Sequence, residues 1–204
     1  MSLSGFIQVG GKSQRMGQNK ALLQLAGSTL LARMLAILAP AVCQLGIITN
    51  TPDIYGHLAV ESYPDRWPEC GPLAGIESAL HHSRHDYTLI LACDLPFVRT
   101  SFLQWLAIQG QDYQVCVPEG PDGRLQPLCA LYHCSCQATI ERLLNEGKYQ
   151  LRSLFTEVQT RIVAFPEFAE MQGARLFFEN LNTPKDFARA VCYLAEEQPS
   201  GEKD

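Results

Sequence analysis

Short, continuous apolar runs alternate along the chain with longer stretches in which apolar residues recur every three or four positions. Continuous runs suit strands buried on both faces, and the longer period suits helices with one face on a core. That alternation predicts an α/β fold with a mostly parallel central sheet and helices on both sides of it. Residues 6–9 read as the first strand, followed by a glycine-rich turn over 10–17. Ser28 or Thr29 can cap a helix carrying Leu30, Leu31, Met34, Leu35 and Leu38 at helical spacing, and Pro40 ends it. Residues 45–49 form the second strand, stopped by Asn50, Thr51 and Pro52.

The pattern weakens after that, and residues 57–61 read as a short strand. Gly71 to Gly75 opens a helix that runs towards His81 or His82. Residues 87–93 are the clearest buried strand, ending at Asp94. A helix over 101–108, strands over 114–117 and 128–132, and helices over 137–145 and 184–194 complete the prediction, with Phe177 and Phe178 read as an aromatic strand. Residues 1–195 make one domain on this reading. Residues 196–204 are polar, include Pro199 and Gly201, and read as a frayed tail.

Composition changes this picture little, but it narrows function. A chain of 204 residues is long enough for one well-buried domain. The net charge of −5 argues against a general nucleic-acid binder, which carries a basic surface. No window approaches a membrane span, and residues 1–5 lack the basic and apolar pattern of a signal peptide, so the expected location is the cytoplasm. Of the eight cysteines only Cys134 and Cys136 lie close together, and no second pair completes a zinc site. They are expected to be structural thiols. His81, His82 and His85 are expected to be solvated.

The densest chemical signal directly follows the first strand: Gly10-Gly11-Lys12-Ser13-Gln14-Arg15-Met16-Gly17-Gln18-Asn19-Lys20. Its spacing is neither that of the dinucleotide fingerprint nor that of the P-loop. The physics is similar, because adjacent glycines let backbone N–H groups approach phosphate oxygens. Lys12, Arg15 and Lys20 add cations suited to a triphosphate. A plain turn with solvated charges is the other reading of these residues. Asp94, at the carboxyl end of an apolar strand, stands where ligands of open α/β sheets bind and can hold Mg²⁺; it also suits a turn before Pro96.

Four segments in order carry a resemblance to a known family. They are the loop Gly10-Gly11-x-Ser13-x-Arg15-Met16-Gly17 with Lys20, Gly71-Pro72-Leu73-Ala74-Gly75, Cys93-Asp94-Leu95-Pro96-Phe97, and Asn180-Leu181-Asn182-Thr183-Pro184-Lys185-Asp186. Together they resemble the molybdenum cofactor guanylyltransferases, nucleotidyltransferases with a Rossmann-like, three-layer α/β/α domain of the nucleotide-diphospho-sugar transferase type. The resemblance implies GTP and molybdopterin as substrates, Mg²⁺ as cofactor, and molybdoenzymes or cofactor-delivery proteins as partners. It assigns Arg15, Lys20 and Asp94 to catalysis, with Asp94 on the metal. Gln8, Val9, Gly10, Gly11, Lys20, Asn50, Asp65 and Asp94 would contact the nucleotide, and Asn180 and Asn182 the second substrate.

As residues alone, Asp65 suits a surface loop, Asn50 a turn, and Asn180 and Asn182 helix caps; residues 126–131 resemble the family's Gln-Pro-Leu-x-Ala-Leu strand, which implies that Gln126 and Pro127 border the cofactor groove, with sheet packing as their other reading. The chain also departs from the family pattern. Gln8-Val9 stands where Leu-Ala is common, and Asn19 where Asp often precedes the lysine, which removes a potential partner for Lys20 or a second metal contact. A related transferase using CTP or a sugar or alcohol phosphate, and a catalytically silent nucleotide- or cofactor-binding partner, are the alternatives.

Overall fold

Strands of the central sheet are apolar on both faces because helices cover both. The computed structural model describes residues 2–10 and 19–196. Its elements in chain order are β1 (Leu3–Val9), β2 (Gln24–Leu25), β3 (Ser28–Thr29), α1 (Leu30–Leu38), β4 (Gln44–Thr49), β5 (Glu61–Tyr63), α2 (Pro72–His82), β6 (Tyr87–Ala92), α3 (Thr100–Gln109), β7 (Val115–Pro118), β8 (Cys129–His133), α4 (Gln137–Asn145), α5 (Leu151–Phe155), β9 (Thr160–Val163) and α6 (Pro184–Glu196). A seven-stranded sheet has the order β5-β4-β1-β6-β8-β7-β9. Only β8 runs against its neighbours; the pairs β5–β4, β4–β1, β1–β6 and β7–β9 are parallel.

Alternate residues of each strand feed two apolar layers, as the two-residue strand period requires. On one side Ile7, Leu89, Leu91 and Leu131 pack with Leu31, Met34 and Leu38 of α1 and Phe102, Leu103 and Leu106 of α3. On the other Phe6, Ile90, Val115 and Tyr132 pack with Leu73, Ile76 and Leu80 of α2 and Ile140, Leu143 and Leu144 of α4. Phe102 centres the first layer, with its ring centroid 4.9 Å from Phe168, 5.0 Å from Phe177 and 5.8 Å from Phe178. Thr29 caps α1 by accepting from the Ala32 N–H at 3.2 Å.

Several expectations are corrected. Residues 57–60 are turns and bends, and the strand of that region is Glu61–Tyr63, which pairs with β4 only over Gly46 to Ile48. Phe177 and Phe178 do not form a strand: they follow a 3-10 turn over Ala174–Leu176, and both are buried against Phe102. His82 and His85 are not fully solvated. The His82 ring stacks on Tyr63 with centroids 4.1 Å apart, and His85 Nδ1 lies 3.1 Å from the buried Ser4 hydroxyl. Cys116, Cys129 and Cys136 are buried, whereas Cys43 and Cys192 are exposed. Gly11, Lys12 and Arg15 lie outside the described residues, as does the tail beyond Glu196. Among the described residues no helix is long and apolar enough to cross a membrane.

Candidate active site

Three parallel strands deliver their carboxyl ends to one edge of the sheet. Val9 pairs with Thr49, and Gln8 with Ala92, so Gly10, Asn50 and Cys93-Asp94 all leave the sheet at the same level. This is the crevice at which open α/β sheets bind ligands. The Cys93 N–H donates to the Gln8 carbonyl at 3.3 Å, which ties the first residues after β6 to the end of β1.

Lys20 opens a short 3-10 turn over Lys20–Leu22, and Asn19 caps it by accepting from the Ala21 N–H at 3.1 Å. The Lys20 ammonium lies 2.9 Å from Asp94 Oδ2 and 2.9 Å from Asn182 Oδ1. The Asn180 amide, with its nitrogen towards the carboxylate, donates to Asp94 Oδ1 at 3.0 Å and to Oδ2 at 3.3 Å. The Leu181 N–H donates to the Asp94 carbonyl at 3.2 Å, clamping this late segment onto the loop after β6. Lys20, Asp94, Asn180 and Asn182, from three distant parts of the sequence, thus form one cluster in which Lys20 and Asn180 reach the carboxylate and Asn182 reaches Lys20.

Asn180 and Asn182 are not the caps of α6. Thr183 and Asp186 do that work reciprocally. The Asp186 N–H donates to Thr183 Oγ1 at 3.2 Å, and Asp186 Oδ2 accepts from the N–H groups of Thr183 at 2.8 Å and Asn182 at 3.0 Å. Those bonds, the Thr183 contact first, hold the Asp186 carboxyl below its ordinary value. With the helix end satisfied, both asparagine side chains are left for the cluster.

Asp65 is half-buried and tied down, not a free loop residue. Its Oδ1 accepts from the Trp67 N–H at 3.0 Å and lies 3.2 Å from Ser78 Oγ of α2. Burial pushes its carboxyl up. Asn50 is exposed at the end of β4. Neither makes a hydrogen bond to the Lys20–Asp94 cluster among the described residues. Gln126 and Pro127 serve the sheet: the Gln126 N–H donates to the Pro118 carbonyl at 2.9 Å, and the Pro127 carbonyl accepts from Tyr132 Oη at 2.8 Å.

The two departures from the family pattern acquire a physical account. Asn19 does not touch the lysine ammonium; its Nδ2 donates to Tyr55 Oη at 2.8 Å and so pins the residue before Lys20 to the buried Tyr55. No local pattern around Tyr55 announces this contact. Gln8 lies against the first turns of α2. A Cβ on Gly75 would come within 1.9 Å of Gln8 Nε2, so the glycine makes room for the end of the Gln8 side chain. Gly71, the residue before α2, has φ of +79°, which favours glycine for a different reason.

Beside the site, Arg66 follows Asp65 and pairs with Glu77, whose side chain is fully buried on α2, and lies 3.5 Å from Glu141. Burial pushes the Glu77 carboxyl up to about 7, with Glu141 adding to the rise and Arg66 opposing it. The folded protein therefore keeps this proton up to about pH 7, whereas the unfolded chain releases it near 4.5. Because the native state binds more protons in that window, stability is expected to decline as pH rises through it and to level above it. Urea denaturation between pH 5 and 8 should show that decline in the wild type and a flatter profile in Glu77→Gln. Equal slopes would place the proton elsewhere.

The donor set suits a hard divalent cation held mainly by its ligand. Asp94 offers one carboxylate beside two amides, and among the described residues no group of three or more His, Cys, Asp or Glu side chains could form a protein cage. Mg²⁺ matches such a site, since it is commonly bound by one or two carboxylates together with substrate phosphates and water.

Fold and site together define a nucleotidyltransferase-type α/β protein, with a lysine and a carboxylate paired at the carboxyl edge of its parallel strands. The model of the MobA-like NTP transferase domain matches residues 5–162. The chain is 36% identical over 190 residues to the "Probable molybdenum cofactor guanylyltransferase" of Carboxydothermus hydrogenoformans, covering 93% of this chain and 95% of that one. It is 31% identical over 196 residues to the "Molybdenum cofactor guanylyltransferase" of Desulfosudis oleivorans, covering 95% and 96%. The crystal structure of molybdopterin-guanine dinucleotide biosynthesis protein A from Archaeoglobus fulgidus has the same fold, with a TM-score of 0.83 at 23% identity over 95% of this chain and 99% of that one. The chain belongs to the MobA-like NTP transferase family.

Proposed function

We propose that the protein transfers GMP from GTP to molybdopterin, forming the guanine dinucleotide of the cofactor and pyrophosphate. The observation that carries this reading is the convergence of Lys20, Asp94, Asn180 and Asn182 at the carboxyl edge of the parallel strands, in a chain related throughout its length to guanylyltransferases.

In this reading a terminal phosphate oxygen of molybdopterin attacks the α-phosphorus of GTP in line. A new P–O bond forms, the bond to the bridging oxygen breaks, and pyrophosphate leaves. The attacking phosphate is already ionised at neutral pH, so no strong general base is needed. Catalysis is positioning and electrostatic stabilisation. Backbone N–H groups at Gly10 and Gly11 cradle the triphosphate beside Val9 and Gln8, and Lys20 and Arg15 neutralise it. Asn50 and Asp65, on loops flanking the same edge, contact the nucleoside. Asn180 and Asn182 orient the second substrate. Asp94 would hold Mg²⁺, which when bound would spread the charge of the phosphate oxygens. The product would pass to molybdoenzymes or to the proteins that deliver cofactor to them, in the cytoplasm.

Calorimetric titration with GTP, CTP, ATP and UTP, each with Mg²⁺, tests the assignment. Selective GTP binding, followed by pyrophosphate release on adding molybdopterin, is the expected result. A preference for CTP would overturn the base and keep the chemistry. Binding without pyrophosphate release would favour a silent carrier.

A further inference from the structure

Every oxygen of the Asp94 carboxylate is already engaged by a protein donor. Lys20 Nζ takes Oδ2 at 2.9 Å, and the Asn180 amide reaches Oδ1 at 3.0 Å and Oδ2 at 3.3 Å. The same ammonium rests 2.9 Å from Asn182 Oδ1, so it is held between two oxygens, as a small cation would be. Its side chain is only 14% exposed, and that of Asp94 26%, so the pair is shielded from bulk solvent and salt. A divalent ion on Asp94 would approach the oxygen that the ammonium uses, and like charges at such short range oppose each other strongly when screening is weak. Lysine is suited to yielding that place, because its point charge rides on a flexible four-carbon stem.

We propose that Lys20 is a displaceable counter-ion for Asp94: it occupies the carboxylate until a nucleoside triphosphate draws its ammonium away, and only then does the carboxylate accept a divalent cation. The inference rests on Asp94 being the metal-holding carboxylate. It makes metal entry conditional on nucleotide and keeps the half-buried carboxylate neutralised at every stage. Lys20 thereby sets the order of assembly as well as the charge on the triphosphate. Asn19 serves this exchange by fixing the backbone before Lys20 to Tyr55, so that the side chain moves while its anchor stays.

The test measures Mn²⁺ binding to the full chain without nucleotide, by the loss of the free-ion electron paramagnetic resonance signal. Lys20→Met keeps most of the stem and removes the charge, and is expected to bind Mn²⁺ at least about tenfold more tightly than the wild type, a change of about 1.4 kcal/mol. Lys20→Gln, neutral but still able to bond to Asp94 and Asn182, provides a second variant and should gain in the same direction. Lys20→Arg should stay near the wild type, and the Lys20→Met, Asp94→Ala double variant should lose the gain. Folding of each is checked by thermal melting. Mn²⁺ affinity no higher in both neutral variants than in the wild type would overturn the exchange, as would a gain that persists without Asp94. Failure of the guanylyltransferase reading is seen separately, as a wild type that does not select GTP.

Discussion

Asp94→Ala is expected to lose at least about two orders of magnitude in the rate of pyrophosphate release, the scale of removing one preorganised electrostatic contact from a transition state. The carboxylate is the meeting point of Lys20 and the Asn180 amide, and its loss leaves both without their shared acceptor. Asp94→Asn separates charge from shape. It retains an acceptor for Lys20 and should fold well, yet its rate should fall nearly as far, because an amide is a poor ligand for a hard cation. Lys20→Ala should lose a similar factor by leaving the triphosphate charge less compensated. Near wild-type turnover in Asp94→Asn or Lys20→Ala would sink the roles given to these two residues.

The largest effect on stability is expected at Phe102. Its side chain is fully buried on α3, and its ring touches those of Phe168, Phe177 and Phe178 as well as Trp105. Phe102→Ala should cost about 3–5 kcal/mol, through lost transfer energy and a cavity that four rigid rings cannot close. Against a typical total of about 5–15 kcal/mol this is a large share. For a chain of this size it corresponds to roughly 2–4 °C of melting temperature per kcal/mol. Urea denaturation checks the value, and a loss below about 1 kcal/mol would mean that the aromatic layer repacks. The same cluster anchors Phe177 and Phe178, three and two residues before Asn180. Below its melting point the variant should therefore also show a raised KM for the second substrate.

Much of this architecture is legible in the sequence, for identifiable reasons. Residues 137–145 are read correctly as a helix because Ile140, Leu143 and Leu144 repeat at helical spacing on one buried face. The strand Tyr87–Ala92 is legible because neighbours bury it on both faces. Elements that the pattern misses are short or lie at an edge. β9 carries the exposed Ile162 beside Arg161 and has no clean alternation, α5 spans one turn, and β2 and β3 have two residues each. Phe177 and Phe178 mislead because aromatic residues favour strands, while here the tertiary demand for rings around Phe102 prevails.

The site divides in the same way. Asp94 is recognisable by its place after a buried strand, and Lys20 by its place after the glycine loop. What local pattern cannot supply is the partner of each. The bond from Asn19 to Tyr55 spans 36 positions and that from Lys20 to Asn182 spans 162, so only the folded chain reveals them.

The close approach of Gln8 to Gly75 also constrains how this chain can drift. The two positions share one volume across the join of β1 and α2. Gly75→Ala in the present background drives a methyl into the Gln8 amide, which must swing aside, whereas a shortened residue at position 8 removes that contact. The order in which the two substitutions arise therefore decides whether the Gln8 amide must be displaced on the way. Surveys of variation in close relatives should find a side chain at position 75 only in company with a smaller residue at position 8, a form of epistasis written by van der Waals contact.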